Sequence, residues 1–377
     1  MIPSELSKEL LELVCDLYQL PSPAGIVSLG GDDNRVYKMS IPGQGDRVLR
    51  FSNPDSGTEQ KILSEFLVLE HLRKNTGLNV PSPIRDKQGR FFTTIDGNNR
   101  SGPWQISLFS YMAGDILSGK QLTTDKLFLV GQTLARLDIA LQKADKAIKP
   151  TPSKIRARRD GKEIIKWALI PFSRDDFDGS FPGTKNAEKS LHPVLSRISE
   201  RLQNGCKKLK RSLPHQLLHL DAHLDNLIFD GLKIGILDFD NMAYGPRIYE
   251  LAAPLHTLYE MDGSKQLNRV PNGLPDLIKA LLAGYENHIP LSQTERESFP
   301  LFQALRLFAG LAWAVGSRDR PGWKKWLLLN GDATIHHIEA LLDEYESNTA
   351  DKKKFVPKIW YQKAIDIHQW FFKQEKK

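Results

Sequence analysis

Cysteine is nearly absent from this chain: Cys15 and Cys206 are its only two among 377 residues. With no CxxC pair, neither a disulfide framework nor a thiolate zinc site can be built, and a reducing compartment, the cytoplasm, is the expected location. Long hydrophobic runs are missing as well. The most apolar stretch, Leu301 to Val315, is interrupted by Gln303 and Arg306 and is shorter than the roughly 20 residues a membrane span needs. It reads as a buried core helix, and no membrane is expected as a partner. Met1 to Leu20 carries Glu5, Glu9, Glu12 and Asp16 among its leucines, so it lacks the basic start and unbroken apolar core of a signal peptide. No internal repeat, low-complexity tract or long basic arm is found. The net charge of +7 is dispersed, and its densest runs, Lys154 to Lys162 and Lys207 to Arg211, read as solvated faces; nucleic acid is not an expected partner.

What is present fits a soluble globular protein, with 40% hydrophobic and 26% charged residues. A chain of this length outgrows a single core, so two lobes are expected. Leu6, Leu10, Val14 and Leu17 fall on one face of a leading helix, with Ser4 placed to cap it. From about Ile26 to Ile116 the pattern favours strands. Ile26 to Leu29, Arg35 to Met39 and Arg47 to Phe51 form a meander, its turns at Gly30 to Asn34 and Pro42 to Asp46. A helix from about Thr58 to Lys74 follows, then strand-like runs at Arg90 to Thr94 and Gln105 to Phe109. The expectation is a five-stranded antiparallel sheet with one helix.

Beyond Tyr111 the pattern turns helical, at Asp125 to Gln142, Ile164 to Leu169, Ala187 to Asn204, Leu274 to His288, Glu295 to Val315 and Ile335 to Tyr345. The exception is a strand pair around Leu227 to Leu237. The fold class is therefore α+β, with a sheet-rich lobe over residues 1–110 and a mainly helical lobe over residues 111–377.

The informative segment runs from His219 to Asp240. Asp230-Gly231 between two apolar runs signals a tight hairpin, which returns the chain so that Asn226 and the Asp238 region leave the same end of a strand pair. Phosphoryl transfer needs a carboxylate beside the acceptor hydroxyl and oxygen ligands that hold magnesium against the phosphates. Asp221 can take the hydroxyl proton, while the Asn226 amide oxygen and the Asp238 carboxylate are hard donors of the kind magnesium prefers. The spacing His-x-Asp-x-x-x-x-Asn, with an Asp beyond the hairpin, is that of the protein-kinase catalytic loop.

These residues resemble the aminoglycoside phosphotransferase and choline kinase superfamily, whose loop reads His-x-Asp-x-His-x-x-Asn. His219, Asp221, His223, Asn226, Asp238 and Asp240 all match, and Tyr244-Gly245-Pro246 with Tyr249-Glu250-Leu251-Ala252 resembles the family's continuation, Glu250 standing at its usual Asp. The resemblance implies a protein-kinase-like two-lobed fold. It also implies an ATP- and Mg2+-dependent transfer of the γ-phosphate to a hydroxyl of a small molecule: an amino alcohol, an amino sugar or a hydroxy amino acid. By resemblance Asp221 is the catalytic base, Asn226 and Asp238 are the magnesium ligands, and His219 and His223 brace the loop. Asp240 would contact substrate, a second metal or its own loop.

In the first lobe the resemblance assigns Gly30, Gly31 and Asn34 to a phosphate-covering turn and Glu65 to a helix position that pairs with a basic residue on the third strand. That residue is Arg50, whose planar fork is wider than the lysine of protein kinases; Lys38 is a second cation nearby in sequence. Ser110, Tyr111 and Met112 fall at the hinge whose backbone would meet adenine. The Asp238-Phe239-Asp240 and Tyr244-Gly245-Pro246 runs resemble homoserine-kinase-like and stress-response-kinase-like branches most.

Two rival readings remain. His219, Asp221, His223 and Asp225 alternate along one segment, as ligands of a metal-dependent hydrolase would, with His336-His337 as further donors. Arg50 at a lysine position is also compatible with a non-catalytic nucleotide-binding scaffold.

Overall fold

The computed structural model describes residues 6–30, 34–52, 59–95, 103–117, 121–148, 165, 168, 192–263, 273–317 and 321–350. In chain order its elements are α1 (Lys8–Tyr18), β1 (Gly25–Gly30), β2 (Asn34–Ile41), β3 (Gly45–Ser52), α2 (Glu59–Asn75), β4 (Pro83–Ile84), β5 (Phe92–Ile95), β6 (Trp104–Ser110), α3 (Thr124–Ala147), α4 (His192–Leu209), β7 (His215–Leu218), β8 (Leu227–Asp230), β9 (Lys233–Ile236), β10 (Ala243–Pro246), α5 (Ala252–Gly263), α6 (Gly273–Glu286), α7 (Gln293–Gly316) and α8 (Pro321–Ala350). They divide into two compact units. One is drawn from Met1–Asp115, Ala140–Arg156 and Leu227–Asn241, the other from Ile116–Ile139, Ala157–Asn226 and Met242–Lys377.

The first unit is built on an antiparallel sheet in the order β1-β2-β3-β6-β4, with β5 also paired to β6. It has six strands where five were expected. The addition is the two-residue β4, whose Pro83 and Ile84 pair with Phe109 and Leu108; a proline can sit there because the pairing is short and at an edge. α1 covers one face. Val14, Leu17 and Tyr18 pack against Tyr37, Met39, Leu49, Phe51, Ile106 and Leu108, each fully buried aliphatic side chain contributing about 1.5–3 kcal/mol. The Tyr18 hydroxyl donates to the Ile106 carbonyl at 3.3 Å. Ser7, not Ser4, caps this helix: its extended backbone lets Oγ accept the Leu10 N–H at 3.3 Å, so the helical stripe starts at Leu10 and Leu6 precedes it. Ser4 lies outside the described residues.

The hairpin β8-β9 belongs to this same unit. Its ladder closes at Asp230 and Lys233, so the two turn residues are Gly231 and Leu232, one step later than the expected Asp230-Gly231. Gly231 takes the positive φ of +60°, the first-position glycine such a turn requires. The hairpin is tied to the segment after β6 by Asp115 N–H to Phe229 O at 3.0 Å and Phe229 N–H to Asp115 O at 2.9 Å. On its other strand the Ile236 N–H donates to Asn79 O at 3.0 Å. Gly114 makes the first of these contacts possible: its φ is +136°, and a Cβ there would sit 2.7 Å from the Phe229 carbonyl oxygen.

The second unit is helical, with one further antiparallel pair, β7-β10, which was not expected. Its central element is α7. A capping box of Ser292 and Glu295 starts this helix, and it buries residues around its whole circumference, from Phe299 and Phe302 to Leu311 and Val315. It is the one helix among the described residues long and apolar enough to cross a membrane, and most of it is buried within the protein. α3, α4, α6 and α8 fall where helices were expected, their ends shifted by a few residues or extended, whereas α5 was not anticipated. Of the expected helix at Ile164 to Leu169 only Ile165 and Ala168 are described, both helical and buried.

Two substitutions test this account of the first unit. The Asp86 side chain is buried, and its carboxylate accepts from Gln88 N–H and Arg90 N–H at 2.9 Å, Arg90 Nε at 2.7 Å and the Thr93 hydroxyl at 2.8 Å. Burial pushes its pKa up, but these bonds outweigh burial and the net shift is downward. Its contribution is therefore complete above the unfolded value near 3.9 and is lost as pH falls through the folded value. Asp86→Ala is expected to cost about 2–3 kcal/mol at neutral pH. The deficit should shrink below about pH 4 in urea titrations at several pH values. Gly114→Ala is expected to lower the unfolding midpoint by about 1–3 kcal/mol equivalent through strain; an unchanged midpoint would contradict the close approach of Phe229.

Candidate active site

In the first unit, the central strand β3 carries Arg50 and the adjacent helix α2 carries Glu65. Both are buried. Arg50 Nη1 and Nη2 donate to Glu65 Oε1 and Oε2 at 2.8 and 2.7 Å, the bidentate geometry of a guanidinium with a carboxylate. The pair sits under aromatic rings, with the Arg50 guanidinium carbon 4.9 Å from the Phe109 ring centroid and 5.9 Å from that of Phe66. Burial alone would loosen the Arg50 proton. Glu65 opposes it first, then Asp240 and Asp238, and the net shift is upward. Arg50 is thus a fixed cation with three carboxylates in its field.

Asp238 and Asp240 follow β9. Asp238 has φ +61°, an uncommon conformation for a residue other than glycine. Asp240 accepts from Asn34 Nδ2 at 3.3 Å through Oδ2, while its Oδ1 is buried without a hydrogen-bond partner. Asn34, Arg50, Glu65, Asp238 and Asp240 are therefore brought together. Gly30 ends β1 with φ +87°, and Gly31 lies outside the described residues. Lys38 pairs with Asp46 at 2.7 Å and lies 4.2 Å from the centre of the Tyr111 ring; it is not joined to the Arg50 cluster.

At the expected hinge, Ser110 N–H donates to Ser82 O at 2.9 Å and Tyr111 N–H to Asp46 O at 3.3 Å. Those two amides are committed within the protein. Met112 is buried, and Gly235 lies directly against its methyl carbon, so that a Cβ on Gly235 would be 2.3 Å from Cε.

Asp221 and Asn226 belong to the second unit, in a loop that runs from β7 into a single helical turn at Leu224–Asn226. Buried Glu250 holds the start of this loop, its Oε2 accepting the N–H groups of His219 at 2.8 Å and Leu220 at 3.2 Å. Leu220 has φ +67°, and this turn of the backbone sets where Asp221 emerges. His219, fully buried, accepts the Asp221 N–H through Nδ1 at 3.2 Å. Asn226 Nδ2 donates to the Asp221 carbonyl at 2.9 Å and lies 3.1 Å from His223 Nε2. With its amide nitrogen so directed, the Asn226 Oδ1 is its remaining acceptor. Leu224 N–H is received by the Thr257 hydroxyl at 3.3 Å.

Sequence reasoning missed the strongest partner of Asp221. Arg306 of α7 donates through Nη2 to Asp221 Oδ1 at 2.7 Å and through Nη1 to Leu220 O at 3.4 Å. Burial raises the Asp221 pKa, but Arg306, followed by His223, more than reverses this and holds it down at about 2. The available signal was the lone arginine in the apolar Leu301 to Val315 run. Beside it, His256 is pushed down to about 3 by burial, with Arg306 and His223 adding to the effect, and is neutral. Deeper in this unit, Asp138 accepts from the Tyr285 hydroxyl. Asp138 and Glu250 are both pushed upward, chiefly by burial.

The alternation His219, Asp221, His223, Asp225 does not form a ligand cluster. Among the described residues, no group of three or more His, Cys, Asp or Glu is arranged to hold a metal ion. His219 is turned into the loop's own bonding, Asp221 toward Arg306, and His336 toward the Asp332 carbonyl of its own helix at 2.8 Å.

Residues 27–295 match the model of the phosphotransferase enzyme family. A hydroxylysine kinase of Mus musculus is 24% identical over 339 residues, 84% of this chain and 80% of its own length. A homoserine kinase of Parvibaculum lavamentivorans is 27% identical over 239 residues, 63% of each chain. Among solved structures, an amicoumacin kinase in complex with AMP-PNP and Ca2+ shares the fold with a TM-score of 0.67 at 15% identity, covering 90% of this chain and 93% of its own. Because the family match spans well over half of its residues and includes the whole His219 to Asp240 segment, the chain belongs to the phosphotransferase enzyme family.

Proposed function

We propose that this small-molecule kinase transfers the γ-phosphate of ATP, with Mg2+, to the hydroxyl of an amine-bearing acceptor such as a hydroxy amino acid or amino alcohol. The observation that carries the reading is the loop around Asp221, whose carboxylate is ionised at neutral pH and held by Arg306 at 2.7 Å. The acceptor class is supported by the hydroxylysine and homoserine kinases, which align with 84% and 63% of this chain at 24% and 27% identity.

In this mechanism the acceptor oxygen forms a bond to the γ-phosphorus as the bond from that phosphorus to the β,γ-bridging oxygen breaks. ADP leaves with the electron pair, and the hydroxyl proton passes to the Asp221 carboxylate. A carboxylate with a pKa near 2 is a weak base. Asp221 therefore acts first by orienting the hydroxyl and receives the proton late, once the oxygen has bonded to phosphorus, which suits a loose transition state. Arg50, kept cationic by Glu65, is the group that would meet the α- and β-phosphates. The Asn226 Oδ1 and the Asp238 carboxylate are oxygen donors suited to Mg2+, which when bound would neutralise charge on the phosphate oxygens. Most of the rate would come from positioning and electrostatics.

Homoserine, 5-hydroxylysine, ethanolamine and choline, each supplied with Mg-ATP, form the test. At least one is expected to raise ADP release about tenfold or more over the acceptor-free rate and to yield a phosphate monoester by 31P NMR. Monoester formation from none of them would refute the acceptor class. Asp221→Ala is expected to lower kcat by about 10²–10⁴-fold with nucleotide affinity retained, as measured by calorimetry. Asp238→Ala is expected to weaken Mg-ATP binding as well, so equal affinities in the two variants would remove Asp238 from the metal site.

A further inference from the structure

α7 is buried around its circumference, yet Arg306 stands in the middle of it between buried Leu305 and Leu307. A guanidinium there loses hydration, a cost recovered only by close, well-directed partners. Its guanidinium donates to two successive residues of the loop: to the Asp221 carboxylate at 2.7 Å and to the Leu220 carbonyl at 3.4 Å. Tyr249 adds a further bond to the same guanidinium. The arginine fork is planar and rigid, so holding a side-chain oxygen of residue 221 and the backbone oxygen of residue 220 fixes two things together. One is the rotation of the carboxylate; the other is the left-handed backbone of Leu220, with φ +67°, that presents it.

The surroundings are shaped for this contact. Gly310 lies one helical turn beyond Arg306 on the same face, and a Cβ there would be 2.5 Å from His256 Nε2. The missing side chain lets the imidazole pack against α7. Since His256 is held neutral, it brings no second cation to compete for Asp221. The side chains of Arg306 and Asp221 are only 17% and 21% exposed, so their pairing is little screened by water.

We propose that Arg306 is a positioning residue for phosphoryl transfer: it sets the orientation in which the Asp221 carboxylate meets the acceptor hydroxyl, without itself touching nucleotide or acceptor. This rests on Asp221 being the group that receives the hydroxyl proton. It separates Arg306 from Arg50, whose loss would weaken nucleotide binding.

The experiment measures steady-state Mg-ATP hydrolysis with water as the acceptor: the water oxygen bonds to the γ-phosphorus, ADP leaves, and one water proton passes to Asp221. Arg306→Met is expected to lower kcat about 10²-fold, the cost of a misplaced catalytic group, with KM for ATP unchanged. Arg306→Lys, which keeps a charge on a single donor nitrogen but not the fork, is expected to recover most of that loss while remaining about three- to tenfold below wild type. A folded Arg306→Met protein with wild-type kcat, a KM for ATP that rises as kcat falls, or a lysine variant no better than methionine would each overturn the proposal. Should the methionine variant fail to fold, by circular dichroism, the lysine variant decides: wild-type kcat overturns the proposal, and a reduced kcat at unchanged KM supports it. Asp221→Asn is assayed alongside. If it turns over normally, the functional reading itself fails; if it is inactive while the Arg306 variants are normal, only the positioning role is lost.

Discussion

The active loop depends on one buried carboxylate. Glu250 has one oxygen receiving two successive backbone N–H groups, those of His219 and Leu220, at the point where the chain leaves β7 and turns left-handed. Buried backbone amides need partners, and no strand or helix ladder supplies them there. Without Glu250 the loop would have to relax toward ordinary backbone angles, and Asp221 would emerge elsewhere. Burial pushes Glu250 upward in pKa while the two amides favour its ionised form. Arg306 then acts on a loop already aimed, tying residues 220 and 221 from the opposite element.

The first unit meets a similar problem with different parts. Arg50 lies on the central strand of a sheet covered by α1 on one face, with α2 supplying Glu65. A cation there must be paired, and the two-pronged bond to Glu65 gives each terminal guanidinium nitrogen a carboxylate oxygen. Asp238 and Asp240 reach the same field because the β8-β9 hairpin is fastened to Asn79 on one strand and to Asp115 on the other. Arginine in place of lysine is accommodated by the Phe66 and Phe109 rings, over which its flat guanidinium can lie. In both units a buried arginine is fixed by a carboxylate.

Much of this was legible in the sequence, for identifiable reasons. Strand alternation and helical periodicity are local properties, so the meander and α2 could be read within a few residues, whereas α8 starts 14 residues before its expected Ile335. The His219 to Asp240 run was legible because its chemistry is compressed into 22 consecutive positions. Errors were local too: Ser4 for Ser7 as a cap, the hairpin turn one residue early, and the two-residue β4, too short to leave a pattern.

The sequence by itself determined the kind of chemistry available, since the spacing of Asp221, Asn226 and Asp238 around a tight turn is written along one stretch of chain. Only the tertiary structure decided how Asp221 is held. Arg306 bonds Asp221 directly from 85 residues away, and Glu250 holds the loop backbone at His219 from 31 residues away; nothing in the intervening sequence encodes that meeting. A lone arginine in an apolar helix signals a buried partner, but its identity depends on how helices pack, which is settled by the burial of many side chains at once and not by any local pattern.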